Sequence, residues 1–409
     1  MDGKTSQHGS EYRLQNFRQQ IRRLKSGEYA YHDSEDALRQ LDDIASSFEE
    51  RLIKSRGAFP DIRKRQEAEA NSFINLCHPI LGIILRSSNV RNAFEVYEPL
   101  KKIIESYLGE DSHLILSSEW DYTPFTWPMG LIELPKYVII GLPASESDNP
   151  LLLPLAGHEL GHSVWPQKGL HGHFLNILKD KVVEYYHENW DNDVSGLPKI
   201  NLAQLEEDMF SRRIWINSLA WSLRQSEESF CDALGVRIFG RSYLHAFSYL
   251  LAPSLGARST DYPSARLRSR IIESAMARLS GSDESWFGAQ FESQDSNEID
   301  PLASFQLAAA DYATDQIFEQ LIDKAFEVSS SSGVNSPDNT EVASMLECFK
   351  SGIPKDGIGD LQDIVQAGWE LADWFHKEEI VDQRKNLEQV GELILKTIEV
   401  SEFHRRISN

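Results

Sequence analysis

Cysteine is scarce: three in 409 residues, Cys77, Cys231 and Cys348. They lie far apart, form no Cys-x-x-Cys pair and leave one unpaired under any disulfide scheme. They read as buried thiols in a reducing compartment rather than a disulfide framework. Net positive charge is missing as well. Lys and Arg total 41 against 63 Asp and Glu, a formal charge of -22, which opposes binding to nucleic acid or an anionic membrane as a main activity. The local exception, Arg13, Arg18, Arg22, Arg23 and Lys25, falls at helical spacing and reads as a solvated face. No run approaches the length of a bilayer span. The nearest, Phe73 to Leu85, is short and contains Asn75, His78 and Pro79. The opening residues, Met-Asp-Gly-Lys-Thr-Ser-Gln-His, are polar, so no secretory signal is visible and a cytoplasmic protein without a membrane span is expected. Internal repeats are absent.

What is present is ordinary globular composition, 41% hydrophobic, 10% aromatic and 25% charged, in a chain long enough for two or three domains. Helical patterns cover 10–26, 33–55, 60–87 (bent or broken near Pro79) and 90–108. In 33–55 the apolar residues Ala37, Leu38, Leu41, Ile44, Ala45, Phe48 and Leu52 recur at spacings of three and four, with Ser34 and Asp36 as candidate caps. Two short segments rich in branched residues, 113–118 and 137–141, read as strands around an irregular aromatic loop at 120–129. Further helices are expected at 171–189, 201–239 and 242–252, another from Ser264, then 301–328, 340–350, 359–377 and 380–405, with a linker at 329–339. The fold expected is mainly α with a small β-sheet (α+β), divided as 1–110, 111–290 and 291–409.

The chemistry concentrates at Leu151 to Trp165, which contains His158-Glu159-Leu-Gly-His162. Two His four residues apart share one helix face and can reach one metal ion, while Glu159, about 100° around the helix, flanks it. Roughly 0.03 chance occurrences of such a motif are expected at this composition. The pattern is that of a zinc hydrolase with Glu as general base. A catalytic zinc site needs a third protein ligand. The three-His extension is excluded, because Trp165 and Lys168 occupy the positions of its Gly and His. His171 and His173 fit no ligand spacing and follow Pro166. Glu228-Ser-Phe-Cys231-Asp232 is the better candidate: Glu228 as ligand, and Asp232, on the same helix face, as acceptor for a ligand His. Glu227 is the fallback, with Glu184, Glu206 and Glu207 behind it. A deformylase-like site would want a Cys ligand shortly upstream, and Cys77 is too distant.

With His-Glu-x-x-His followed by Glu-x-x-x-Asp, the chain resembles the gluzincin metallopeptidases. Within them it is similar to the family of HtpX-type and CaaX prenyl-protein endopeptidases, as a soluble relative. The family commonly has Ala where Cys231 stands. Its third segment, Thr/Ser-His-Pro with a later Arg, is echoed by Thr260-Asp-Tyr262-Pro263 and Arg268, with Tyr262 in place of His. The resemblance spans about residues 135–275. It implies a zincin-like core flanked by helical regions, with zinc on His158, His162 and Glu228. It further implies Glu159 activating a zinc-bound water, Tyr262 or Arg268 stabilising the oxyanion, and a protein or peptide as substrate. The strand at 137–141 is then expected to be an edge strand above the metal that holds the substrate backbone extended. The alternative is a metal-binding sensor or effector whose peptidase-like core serves regulation or partner binding with little turnover.

Overall fold

The computed structural model describes residues 9–90, 92–120, 125–126, 133–193, 196–252, 258–291, 300–378 and 383–408. The chain packs as two compact units, 1–101 with 111–148, and 102–110 with 149–409. The sheet therefore groups with the N-terminal helices, and the C-terminal helices group with the segment that carries the motif. The fold is mainly α with a small sheet, as the periodicity predicted.

The first unit contains α1 (Gly9–Leu24), α2 (His32–Lys54), α3 (Pro60–Ser87) and the start of α4 (Ala93–Leu108). Leu14, Phe17 and Ile21 of α1, Leu38 and Leu41 of α2, and Phe73, Cys77, Ile80 and Ile84 of α3 close one hydrophobic core. Neither Ser34 nor Asp36 caps α2, because the helix begins earlier, at His32, with no side-chain cap. Ser34 pairs with Ser87 at 3.0 Å and Asp36 with Arg39 at 2.7 Å. The helix α3 runs through Pro79 without a break. Pro79 and Asn75, whose carbonyl loses its helical donor to the proline, are both exposed, so water can satisfy that carbonyl. By length and composition α3 could cross a bilayer. Here it packs with α1, α2 and the first strand in the core.

The sheet has the order β1 (His113–Glu119), β3 (Tyr137–Pro143), β2 (Phe125–Thr126). β1 runs parallel to β3 from His113 against Tyr137 to Glu119 against Pro143, and β2 is antiparallel to β3 at Ile140 and Gly141. The expected edge strand is thus the central one. Every residue of β3 is buried, the pattern of a strand covered on both faces rather than one offering a free rim.

The second unit is organised around α7 (Met209–Phe239). Packed on it are α5 (Leu155–Gln167), α6 (Leu170–Asn189), α8 (Arg241–Leu251), α9 (Ala265–Ser280), α11 (Pro301–Ser332) and α13 (Leu361–Lys377). The short α10 (Ser285–Gly288) packs on α9, while α12 (Asn339–Lys350) and α14 (Gln383–Ser408) pack on α13. From Glu228 to Phe239 nearly every residue of α7 is buried, as befits a helix surrounded by helices. It starts at Met209 rather than 201 because Asp208 accepts the Ser211 N–H at 2.7 Å and sets the first turn. The expected linker at 329 is still helix. Ser330 and Ser331 bond back to the carbonyls of Phe326 and Glu327, and Gly333, at φ 76°, ends α11.

Candidate metal centre

The motif helix α5 is anchored before it begins. Trp369 of α13 donates its indole N–H to the Leu151 carbonyl at 2.9 Å, and Asn149 caps the turn Pro150–Leu152. Almost all of α5 is buried. It crosses α7 at very short range. A Cβ placed on Gly161 would stand 2.8 Å from the Cys231 Cα, and one on Gly157 would stand 3.0 Å from the Gly235 Cα. Glycine allows this approach, and it brings the carboxylate of α7 to the imidazoles of α5.

His158, His162 and Glu228 converge with one ligand atom each inside 4.8 Å of the others. His158 Nε2 lies 3.2 Å from Glu228 Oε2, and His162 Nε2 lies 3.5 Å from Glu228 Oε1. Two ligands each about 2.05 Å from one tetrahedral ion are about 3.3 Å apart, so the spacing suits a shared cation. The outer nitrogens face acceptors: His158 Nδ1 is 2.8 Å from Asp232 Oδ1, and His162 Nδ1 is 3.0 Å from Glu227 Oε1. With the protons at Nδ1, both Nε2 lone pairs point at Glu228. Glu228 Oε2 is buried and accepts no well-formed hydrogen bond. Lone pairs facing a carboxylate call for a positive charge between them. The residues therefore fit a metal ion.

The surrounding carboxylates favour positive charge at this place. Burial opposes charge on His158, but Asp232 and Glu228 outweigh it and push its pKa up to about 10. Burial likewise opposes charge on His162, which Glu228 and Glu227 nevertheless raise. Glu159 is buried, and that burial raises its pKa against the pull of His158 and His162. Burial works against the charge of Glu228, yet the two imidazoles and Arg268 lower its pKa.

No family model, curated protein or solved structure matches this chain. The functional reading therefore rests on these residues.

Of the residues expected from sequence, His158, His162, Glu228, Asp232 and Arg268 form one connected group, and Glu159 and Tyr262 interact electrostatically with it. Arg268 directs Nε and one Nη to Asp232 at 2.7 and 2.9 Å, with Glu228 Oε2 3.9 Å from that Nη, and its guanidinium carbon lies 4.7 Å from the centroid of each of the Phe247 and Tyr262 rings. Tyr262 is 40% exposed. Glu228, then burial, raises its pKa, keeping the hydroxyl a donor. His171 and His173 are exposed on α6 and stay outside the group. Glu184 is taken by Lys181 and Tyr312, and Glu206 by Lys179. Cys77 belongs to the core of the other unit.

One contributor was read for another role, and a second, Tyr243, escaped the sequence reading. Glu227 supports His162 instead of standing in for Glu228. Tyr243 donates to Asp232 at 2.6 Å, passing its ring over Gly235, where a Cβ would meet it at 2.5 Å. Gly157 and Gly161, four apart and interleaved with the motif, were the readable sign of a close helix crossing. A second group with metal-compatible spacing, Asp33, Asp36 and His113, is of another kind. Asp33 already binds Lys101 at 2.9 Å and the Leu114 N–H at 2.7 Å, along with the Tyr97 hydroxyl. Its charge is answered within the protein.

Proposed function

We propose that this chain is a zinc-dependent endopeptidase of the gluzincin type, a soluble relative of the HtpX and CaaX prenyl endopeptidase family, cleaving protein or peptide substrates. The observation that carries the reading is the buried convergence of His158, His162 and Glu228, each imidazole backed by a carboxylate, with Glu159 between the two His on the same helix.

His158, His162 and Glu228 would hold the zinc, which would supply Lewis acidity toward a substrate carbonyl and water. The rest falls to the chain. Glu159, with its pKa raised by burial, takes the proton of the attacking water on its carboxylate and returns it to the amine nitrogen as the C–N bond breaks. Tyr262 offers a hydroxyl hydrogen bond to charge developing on the substrate oxygen. Asp232, held by Arg268 and Tyr243, fixes the orientation of His158.

The test is Glu159→Gln. Zinc content measured by atomic absorption should be unchanged, while chelator-sensitive cleavage of casein or a peptide library falls by about 10²-fold or more. Wild-type cleavage by the variant would overturn the mechanism. The second reading, a metal-binding sensor or effector with little turnover, draws on the low exposure of all three candidate ligands, 7% for His158 and 8% for His162 and Glu228. It gives Glu159 no task, so it predicts that Glu159→Gln leaves partner binding untouched.

A further inference from the structure

Consecutive residues of α7 grip both nitrogens of one imidazole. Glu228 Oε1 stands 3.5 Å from His162 Nε2, and Glu227 Oε1 stands 3.0 Å from His162 Nδ1. Neighbours on a helix diverge by about 100°, so they can reach opposite sides of a ring only if that ring lies against the helix. The close crossing at Gly161 and Cys231 puts it there. The geometry points to Glu227 as the positioning residue of the metal centre on the His162 side: it accepts the Nδ1–H, fixes the ring's orientation and leaves Nε2 bare toward the metal. This deepens the metal-site reading above and rests on it.

The two imidazoles are supported unequally. Asp232, behind His158, has no exposed surface and is neutralised by Arg268. Removing it leaves a buried cation. Glu227 keeps 22% of its side chain exposed, so it can be replaced without opening the core. It is the place where metal affinity is adjustable independently of the fold.

The experiment titrates Zn²⁺ alone into the chelator-stripped full-length chain, in competition with a chromophoric chelator. Wild type, Glu227→Ala and Glu227→Gln are compared, and the visible spectrum of each is recorded with Co²⁺. Glu227→Ala should weaken Zn²⁺ binding by about 10–100-fold and change the Co²⁺ spectrum. Glu227→Gln, whose amide oxygen accepts the same hydrogen bond, should recover most of the affinity and a wild-type spectrum. Equal binding by Glu227→Ala and wild type overturns this inference alone, and so does an equal loss in both variants, which assigns the effect to charge rather than ring position. A wild-type chain that takes up no Zn²⁺ overturns the metal site itself, and this inference with it.

Discussion

Asp232 is a charged group with no exposed surface, and three side chains share its oxygens. Arg268 takes both, while His158 and Tyr243 meet Oδ1. Burial opposes this charge, but Arg268 and His158 hold the carboxyl well below the usual range. Such a group is tolerated only while its partners remain. Arg268→Met should therefore destabilise the protein by about 3–5 kcal/mol, read from urea unfolding. The double variant Arg268→Met with Asp232→Asn should lose less than the sum of the two single variants, since the uncompensated charge is gone. A single-variant loss below about 1 kcal/mol would show that the pair is not the neutralising contact. From sequence, Arg268 is one of many arginines, and only its resemblance to a family position marked it. That the guanidinium sits near the Phe247 and Tyr262 rings and turns toward Asp232 depends on residues in α8 and in the segment before α9, which no local pattern reveals.

At the scale of elements, the site is a property of two crossing helices. α5 supplies both imidazoles and α7 the carboxylates, and the distance between them is limited by Gly161 against Cys231. A methyl group there meets backbone, the Cys231 Cα at 2.8 Å, so the helices must separate. Gly161→Ala should cost about 1–3 kcal/mol and weaken Zn²⁺ binding, because Glu228 withdraws from both rings. Adding Cys231→Ala should not restore affinity, since the clash is with main chain as well as sulfur. Wild-type Zn²⁺ affinity in Gly161→Ala would show that the crossing does not set the ligand spacing. Most helices were legible as apolar stripes at spacings of three and four. The ends were less so, because they depend on single residues: Asp208 delays the start of α7 and Gly333, in the left-handed conformation, sets the end of α11. The rank of β3 within the sheet was not legible. An apolar run of that length reads alike in an edge and a central strand until its neighbours are known.

For the whole molecule, metal binding should appear as stability. An ion held only by the folded state adds RT ln(1 + [L]/Kd), about 2.7 kcal/mol at a free concentration of 100 Kd. Zn²⁺ should raise the midpoint of thermal unfolding of the wild type and leave Glu228→Ala unmoved. An equal rise in both would place the binding elsewhere, with Asp33, Asp36 and His113 the first group to test. The acidic chain, at -22, makes the buried carboxylates costly unless a cation joins them, since Arg268 alone of the described arginines and lysines lies within ion-pair distance of Glu228 and Asp232. Composition and periodicity were enough for the mainly helical class, and the four-residue repeat of His158 and His162 was enough to put both rings on one face, because helical geometry is local and repeats every turn. Which distant carboxylate meets those rings, which neighbour supports each of them, and where Arg268 and Tyr243 direct their donors were decided by helix packing. Those contacts join residues far apart in the chain, and their distances follow from the volumes of small residues at the crossing rather than from any spacing along the sequence.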